Sequence, residues 1–479
     1  MRVTVAAAAL LAAAFVEATS PTATASGPFL ADRGVRPLGR AGAFVAGADD
    51  LGAIWYNPAG IVDAPASLLI DASVLANTAT FTRQSLSTSA TGTTFVQSFP
   101  SVTGSNAPIP IPTIAASFKF GARRQYAVAL GVYVPSVSAP TYPQTIANPD
   151  GSTAPAPQRY SVVSLSGSAL VVAGAWFAYR PIDSVRLGAG VQLLTGTYKS
   201  TADFSACPQD NLVCAAEDPS YDAYSQLTVG PIVAPSGNAG VIWVPSKYVR
   251  VGLSGQAPFW VNSPGTIETR LPSAAVFENA SQQGTSANVH FELPPIARAG
   301  VELRPFGRSN LRIEVAYVRE FWSVYQSIDV QPNIALLNVT GFPSPFALHA
   351  ISIPLGGQDA DSIRLGGEYE GRVGSIGLRG RAGVAYETSG IKEAYVSPLG
   401  IDGPKVTTTV GASLLLGKRW RLDAVYAHVF LNDVTVTPQE AAISPVNPVQ
   451  GNPTPIPSVN GGKYHVETDI VGLGMQYAF

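Results

Sequence analysis

Apolar and polar residues alternate with a period of two along most of this chain. In the closing stretch DIVGLGMQYAF, Val471, Leu473, Met475, Tyr477 and Phe479 share one face, and Gly472, Gly474, Gln476 and Ala478 the other. Successive side chains of a strand point to opposite sides, so this stretch predicts a strand with one greasy and one small or polar face. Just upstream the greasy face turns into Lys463, His465, Glu467 and Asp469, as in a strand that leaves an apolar layer and continues into water. The same beat sets Trp420, Leu422 and Tyr426 against Arg421 and Asp423, and Leu311, Ile313, Val315 and Tyr317 against Arg312 and Glu314. It also sets Ile363, Leu365 and Tyr369 against Arg364, Glu368 and Glu370, and IGLRGRAGVAY adds Arg379 and Arg381 to the polar face. About fourteen such segments can be counted, the first near Ser67, the fourth near Arg159 and the last near Lys463. Long Pro-, Ser- and Asn-rich connections, such as 83–111, 136–157, 328–359 and 436–461, alternate with short turns.

Alternation alone also suits a soluble β-sandwich, whose polar face looks at water. Composition shifts the balance. Only 13% of the 479 residues are charged, against roughly 25% in an average soluble protein, which is too little to cover a large water-facing surface. The N-terminus MRVTVAAAALLAAAFVEATSPTATA has the order of a secretory leader: Arg2, an apolar run too short to span a bilayer, then small residues ending in Ala23-Thr24-Ala25. A membrane anchor is the competing reading of that run. Beyond it no apolar stretch is long enough for a transmembrane helix, and the only other structure that satisfies every backbone group in lipid is a closed barrel. Aromatic residues near strand ends, such as Trp420 and Tyr477, fit interfacial girdles. The expectation is an all-β protein, an antiparallel transmembrane β-barrel of about fourteen strands. Its parts would be a leader at 1–25, a plug inside the lumen at 26–62 and the barrel at 63–479. The net charge of −2 gives no basic stripe for nucleic acid.

Little in the chain points to catalysis. The four histidines are scattered, no cluster has metal-ligand spacing, and no nucleophile motif stands in its required context, so neither a metal, a cofactor nor an enzyme is expected. Glu368 and Glu370 share a face and could serve acid–base work. With Arg364 beside them and Arg379 and Arg381 on the next strand, a network of lumen charges is the stronger reading, since buried charges need partners. Arg312, Glu314, Arg421 and Asp423 belong to the same network. Cys207 and Cys214 lie close together in a polar segment, and in an exported protein they are expected to close a loop disulfide, a metal site being disfavoured by the lack of a nearby His. Two segments refuse to alternate: YAVALGVYV and ALVVAGAWFAY are apolar on both faces. Whichever face meets lipid, groups such as Val128 and Leu130, or Val171 and Phe177, would enter the lumen. There they would either line an apolar ligand cavity or pack against a plug, and the two roles are compatible.

Ahead of the first strand, GPFLADRGVRPLGRAGAFVAGADDLGAIWYNPAG is too irregular for a barrel strand and too apolar for a free tail. Irregular backbone at membrane depth is tolerated where protein buries it. Within this segment Pro58 biases Asn57 to an extended backbone, Gly60 permits a turn, and the Asn57 side chain can bond locally. The series Gly39-Arg40, then Asp49-Asp50, then an aromatic followed by Asn57-Pro58-Ala59-Gly60 resembles the hatch of the FadL/TodX-type outer-membrane transporters of long-chain fatty acids and other hydrophobic compounds. GVYVPSVSAPTYP, FAYRPIDSVRLGAGVQ and YVREFWSVYQSI extend the similarity along the chain. The terminal Phe479 resembles the signature that outer-membrane barrels present to their assembly machinery.

The resemblance implies a passive transporter in the outer membrane of a Gram-negative-type bacterium, acting as a monomer among outer-membrane lipid and lipopolysaccharide. Ligand would be captured by outer loops, pass into an apolar lumen pocket touched by Phe29 and Leu30, and leave sideways. The exit would open at a kink in the third strand, for which Gly131 and Pro135 are candidates, after the hatch shifts. A general diffusion porin is the main alternative, with a barrel lipase or protease behind it.

Overall fold

The computed structural model describes residues 29–479, apart from 31, 90, 106–108, 138–139, 149, 209–212, 216, 308–309 and 452–456. The expected leader at 1–25 and the first three residues of the expected plug lie outside the described residues. Fourteen antiparallel strands close into one barrel. They are β1 Ser67–Thr88, β2 Ile109–Phe120, β3 Tyr126–Tyr133, β4 Ala169–Ile182, β5 Val185–Ser205 and β6 Asp222–Ser246. Each of the next four runs in two pieces: β7 Val249–Gln256 with Phe259–Arg270, β8 Ser281–Leu293 with Ile296–Leu303, β9 Leu311–Glu320 with Ser327–Leu337, and β10 Ile351–Pro354 with Ala360–Val373. β11 Ile376–Glu387, β12 Lys405–Leu416, β13 Trp420–Leu431 and β14 Gly462–Ala478 complete the wall, and β14 pairs with β1 from Ser67↔Ala478 to Arg83↔Gly462. The strand expected to begin near Arg159 begins ten residues later. Arg159 lies instead in a turn, where its buried guanidinium donates to Asp222 at 2.7 Å. Cys207 and Cys214 are joined as a disulfide in the neighbouring loop.

All short turns lie at one end of the barrel, linked neighbour to neighbour: Arg304 N donates to Tyr248 O, Ala478 N to Arg419 O and Phe479 N to Ala66 O. Above that end the outer surface is an apolar band of residues such as Val410, Ile363, Val471 and Leu473. Paired rings border it, Phe120 stacked on Tyr126 at 5.3 Å and Trp420 tilted against Tyr477 at 4.6 Å.

The two uniformly apolar strands face the opposite way from the expectation for four residues. Leu130 is 64% and Phe177 47% exposed, and Val128 and Val171 share their outward parity. Small Ala127, Ala129 and Gly131 point inward instead, with Tyr133, Val172 and Trp176. The reason lies in the lumen: a Cβ on Gly131 would stand 3.2 Å from Ile54 Cδ1 of the plug, so small residues face in and the branched ones meet lipid.

The plug fills the lower lumen. Almost every residue from 32 to 64 is buried, in a path of two short helices, α1 Val35–Leu38 and α2 Ala53–Tyr56, and a 3-10 turn at Pro58–Val62. Phe44, Leu51, Ile54 and Tyr56 are fully enclosed, and burial of each such side chain stabilises by about 1.5–3 kcal/mol. The wall receives the plug on three cross-strand pairs of glycines. Gly366↔Gly383 faces Arg40, Gly252↔Gly300 faces Val45 and Ala46, and Gly188↔Gly240 faces the run from Asn57 to Ala59. Glycine within a strand weakens it and marks a close backbone approach, and here a Cβ on Gly383 would stand 2.4 Å from the Arg40 carbonyl carbon. Gly383→Val is therefore expected to leave a folded barrel with its heat-modifiable electrophoretic mobility while the displaced plug becomes cleavable by added protease. A plug as protease-resistant as the parent's would refute this account of the glycine pairs.

Candidate functional site

Two layers occupy the lumen, a charged one below and an apolar one above. In the lower layer Arg36 of the plug is fully enclosed and reaches Asp49 at 2.7 Å, Asp50 at 3.2 Å and Glu368 of the wall at 2.8 Å. Glu368 also takes Arg381 at 2.6 Å and lies 3.5 Å from Arg312. Arg421 spans Asp423 at 2.6 Å and Asp50 at 2.8 Å, and Arg381 closes the circuit to Asp423 at 3.3 Å. Arg364 pairs with Asp32 and, at 3.4 Å, with Glu387. Glu370 and Arg379 pair at 2.8 Å with each other, half-buried and apart from the rest.

The plug's backbone is held by the same wall groups. Glu314 accepts the amides of Val45, Ala46 and Gly47 at 2.6 to 2.9 Å, while Arg40 reaches Glu314 at 3.1 Å and Glu302 at 3.3 Å. Arg312 donates to Gly47 O, and Arg250 to Ala46 O and to Asp63. Asn57, fully enclosed and extended at φ −161°, gives its side-chain amide to Val45 O, Val241 O and Leu253 O and accepts from Ala59 N. Pro58 opens the 3-10 turn, and a Cβ on Gly60 would overlap Ala48 O at 1.8 Å. Gly39 packs on Gly411. Asp32, Arg36, Asp63, Arg250 and Glu302 were not expected in the lattice. For Arg36 the signal was an unexplained cation in a Gly- and Ala-rich plug; for Glu302 no pattern in the chain pointed to its partners.

The apolar layer sits where the wall strands break. Ala257 and Pro258 interrupt β7, Pro294 and Pro295 interrupt β8, and a short 3-10 turn, Trp322–Val324, interrupts β9. Proline cannot donate to the ladder, so pairing ends there. The ends of these pieces line a cavity of about 50 Å³ with Phe259, Leu293, Ile296, Trp322 and the plug's Trp55 and Arg33. The Arg33 and Arg298 guanidiniums both lie over the Trp55 ring, 4.0 and 4.6 Å from its centre. Trp322 donates to Glu320 at 2.7 Å. Arg33, Trp55, Phe259 and Trp322 were not singled out from the sequence as a site.

Beside this cavity the pairing of β3 with its wall neighbours stops, among the described residues. β3 ends at Tyr133, paired with Thr113 and Val172, and Val134 adds a single bond to Pro112 O at 3.2 Å. The chain then leaves the wall, and Ser136 and Val137 pair with Leu30 and Phe29, whose side chains lie outside what is described. The wall resumes at Thr141, bridged to Ser105 and Ser164. Pro135 stands at the departure and lines the cavity with Tyr133; Gly131 lies two residues below, against Ile54. A second apolar cavity, about 30 Å³, opens among the outer segments near Phe204, Ile267, Phe277, Leu336 and Leu348.

The family model described as outer membrane protein transport protein (OMPP1/FadL/TodX) matches residues 16–479. The chain belongs to this family. Members of the OMPP1/FadL/TodX family are transport channels for hydrophobic compounds, which places the barrel in the Gram-negative outer membrane with its short turns toward the periplasm. Solved structures share the fold at low identity. A Pseudomonas aeruginosa FadL homologue is 15% identical with a TM-score of 0.67, over 96% of this chain and 100% of its own. The Ralstonia pickettii toluene transporter TbuX is 14% identical with a TM-score of 0.58, over 94% and 99%. The Pseudomonas putida toluene transporter TodX is 12% identical with a TM-score of 0.58, over 89% and 94%. No curated protein sequence matches the chain.

The wall groups that hold the plug set how much free energy its displacement from the FadL/TodX-type barrel would cost. Removing one member of a buried ion pair costs about 3–5 kcal/mol, because the other charge is left uncompensated. Glu314→Ala is expected to destabilise plug docking by about that amount, read as faster hydrogen exchange at Val45, Ala46 and Gly47 with wall amides unchanged. Equal protection in the variant would remove Glu314 from this role.

Proposed function

We propose that the protein passively carries long-chain fatty acids or other hydrophobic compounds inward across the outer membrane. Ligand is captured at the outer apolar cavity, moves to the cavity at the strand breaks, and leaves sideways through the wall where the β3 pairing stops above Tyr133, once the hatch shifts. One observation carries this reading: Tyr133, the last residue of β3 paired in the wall, and Pro135 just after it both line the cavity, so an apolar molecule held there is already at the wall. A cavity of this size holds a long ligand only if its lining moves, and that lining includes Arg33 and Trp55 of the hatch. Arg33 on the cavity wall and Arg298 across the same indole outnumber the one carboxylate of the lining, Glu320, and so favour ligands that bring a carboxylate, hence fatty acids over plain hydrocarbons. The solved relatives named as toluene transporters keep the hydrocarbon reading as the second one.

Asn57→Ala removes three side-chain donations that tie the hatch to itself and to β6 and β7. Uptake of labelled oleate by cells relying on this protein should change severalfold with the barrel intact, and unchanged uptake would sink the hatch step. Phe259→Asn puts a polar amide in place of an apolar ring in the cavity and should lower uptake severalfold, in keeping with the cost of burying a polar group without a partner. In liposomes of neutral lipid the intact protein should give no sugar-driven swelling, and rapid swelling would favour the diffusion porin.

A further inference from the structure

The six short connections at the periplasmic end, 121–125, 183–184, 247–248, 304–310, 374–375 and 417–419, carry six Lys or Arg among their described residues and a single acid, Asp183. This is not the pattern of the rest of the molecule. Inside the barrel Arg36, Arg312, Arg381 and Arg421 each meet two or more carboxylates. On the rim Arg123, Arg124, Lys247, Lys418 and Arg419 are exposed, and among the described residues none of them is in an ion pair with a carboxylate. Arg180, at the end of β4, joins the first two by donating to Arg123 O at 3.2 Å, so three guanidiniums gather at the foot of β2, β3 and β4. Lys418 and Arg419 form a second group, with Arg419 donating to the Tyr477 hydroxyl at 3.2 Å.

Each group stands just beyond paired aromatic rings. Phe120, Tyr126 and Tyr179 lie above the first, with rings 5.3 and 4.9 Å apart, and Trp420 with Tyr477 above the second. Such rings sit at headgroup level. The unpaired cations beyond them are therefore at the depth of the phosphates of the inner leaflet. A bare positive rim at that depth is matched by negative charge supplied from the lipid, and each Lys or Arg near an anionic surface contributes attraction.

We propose that the periplasmic rim is a binding surface for anionic glycerophospholipid headgroups, densest at Arg123, Arg124 and Arg180 beneath the third strand. The exposed Trp243 and Trp420 lie at this end and report on the adjoining lipid. The protein is reconstituted in phosphatidylcholine bilayers containing an equal small fraction of either brominated phosphatidylglycerol or brominated phosphatidylcholine, and tryptophan quenching is compared. Quenching should correspond to about fivefold enrichment of the anionic lipid or more at low salt, the attraction expected from one such cation alone. It should fall to parity at about 1 M salt, where screening acts within roughly 3 Å. It should also fall to parity in a variant carrying Arg123→Gln, Arg124→Gln, Arg180→Gln, Lys247→Gln, Lys418→Gln and Arg419→Gln. Equal quenching by the two lipids in the parent protein, selectivity that survives high salt, or selectivity retained by a folded variant would each overturn the proposal. The salt series on the parent decides the matter even if the variant does not fold.

Discussion

Charge buried between the hatch and the wall has to be neutralised where it lies, and the lower half of this barrel is organised around that requirement. A fourteen-strand wall encloses a lumen wider than its own side chains can fill. Filling it with irregular chain brings unpaired amides and carbonyls to membrane depth, where water is not at hand to satisfy them. Wall carboxylates and guanidiniums do so instead: Glu314 accepts three hatch amides, Arg312 and Arg250 cover the carbonyls of Gly47 and Ala46, and Asp71 accepts from Val35 at the start of α1. Those wall charges are in turn balanced by Arg36, Arg40, Asp49 and Asp50 of the hatch. Because each ion meets several partners, the lattice resists small displacements yet would lose many contacts together if the hatch moved as a unit.

The upper half obeys the opposite rule. There the ladder is interrupted on adjacent strands at Pro258, at Pro294 and Pro295 and around Trp322, and the interruptions turn apolar side chains into the lumen rather than along the wall. β3 contributes by stopping early, its continuation pairing with the N-terminal segment rather than with β2 and β4. Apolar space and broken strand pairing come together at the cavity.

Much of this was legible beforehand. The two-residue beat located most strands within a few residues, from Ser67 to the terminal β14, because a membrane wall imposes one period along its whole length. The charged partners Glu368, Arg381, Arg421 and Asp423 were legible as inward groups for the same reason. The period failed at YAVALGVYV and ALVVAGAWFAY, where both faces are apolar and parity carries no information; Leu130 and Phe177 turned out to face lipid. The glycine pairs were invisible as pairs, since Gly252 meets Gly300 and Gly366 meets Gly383 only through register.

What the sequence by itself determined was the wall: an exported, charge-poor chain without apolar helices has only a closed barrel in which to satisfy its backbone in lipid, and local alternation is enough to write one. It also marked the hatch, through Asn57-Pro58-Ala59-Gly60, as chain that could not be wall. Only the tertiary structure decided which residues meet across the lumen. Asp49 and Asp50 found Arg36, Arg312 and Arg421, and the cavity drew Arg33 and Trp55 from the hatch, Phe259 from β7 and Trp322 from the break in β9. Those meetings join residues hundreds of positions apart, and strand periodicity specifies the face a side chain takes but not the partner it finds there.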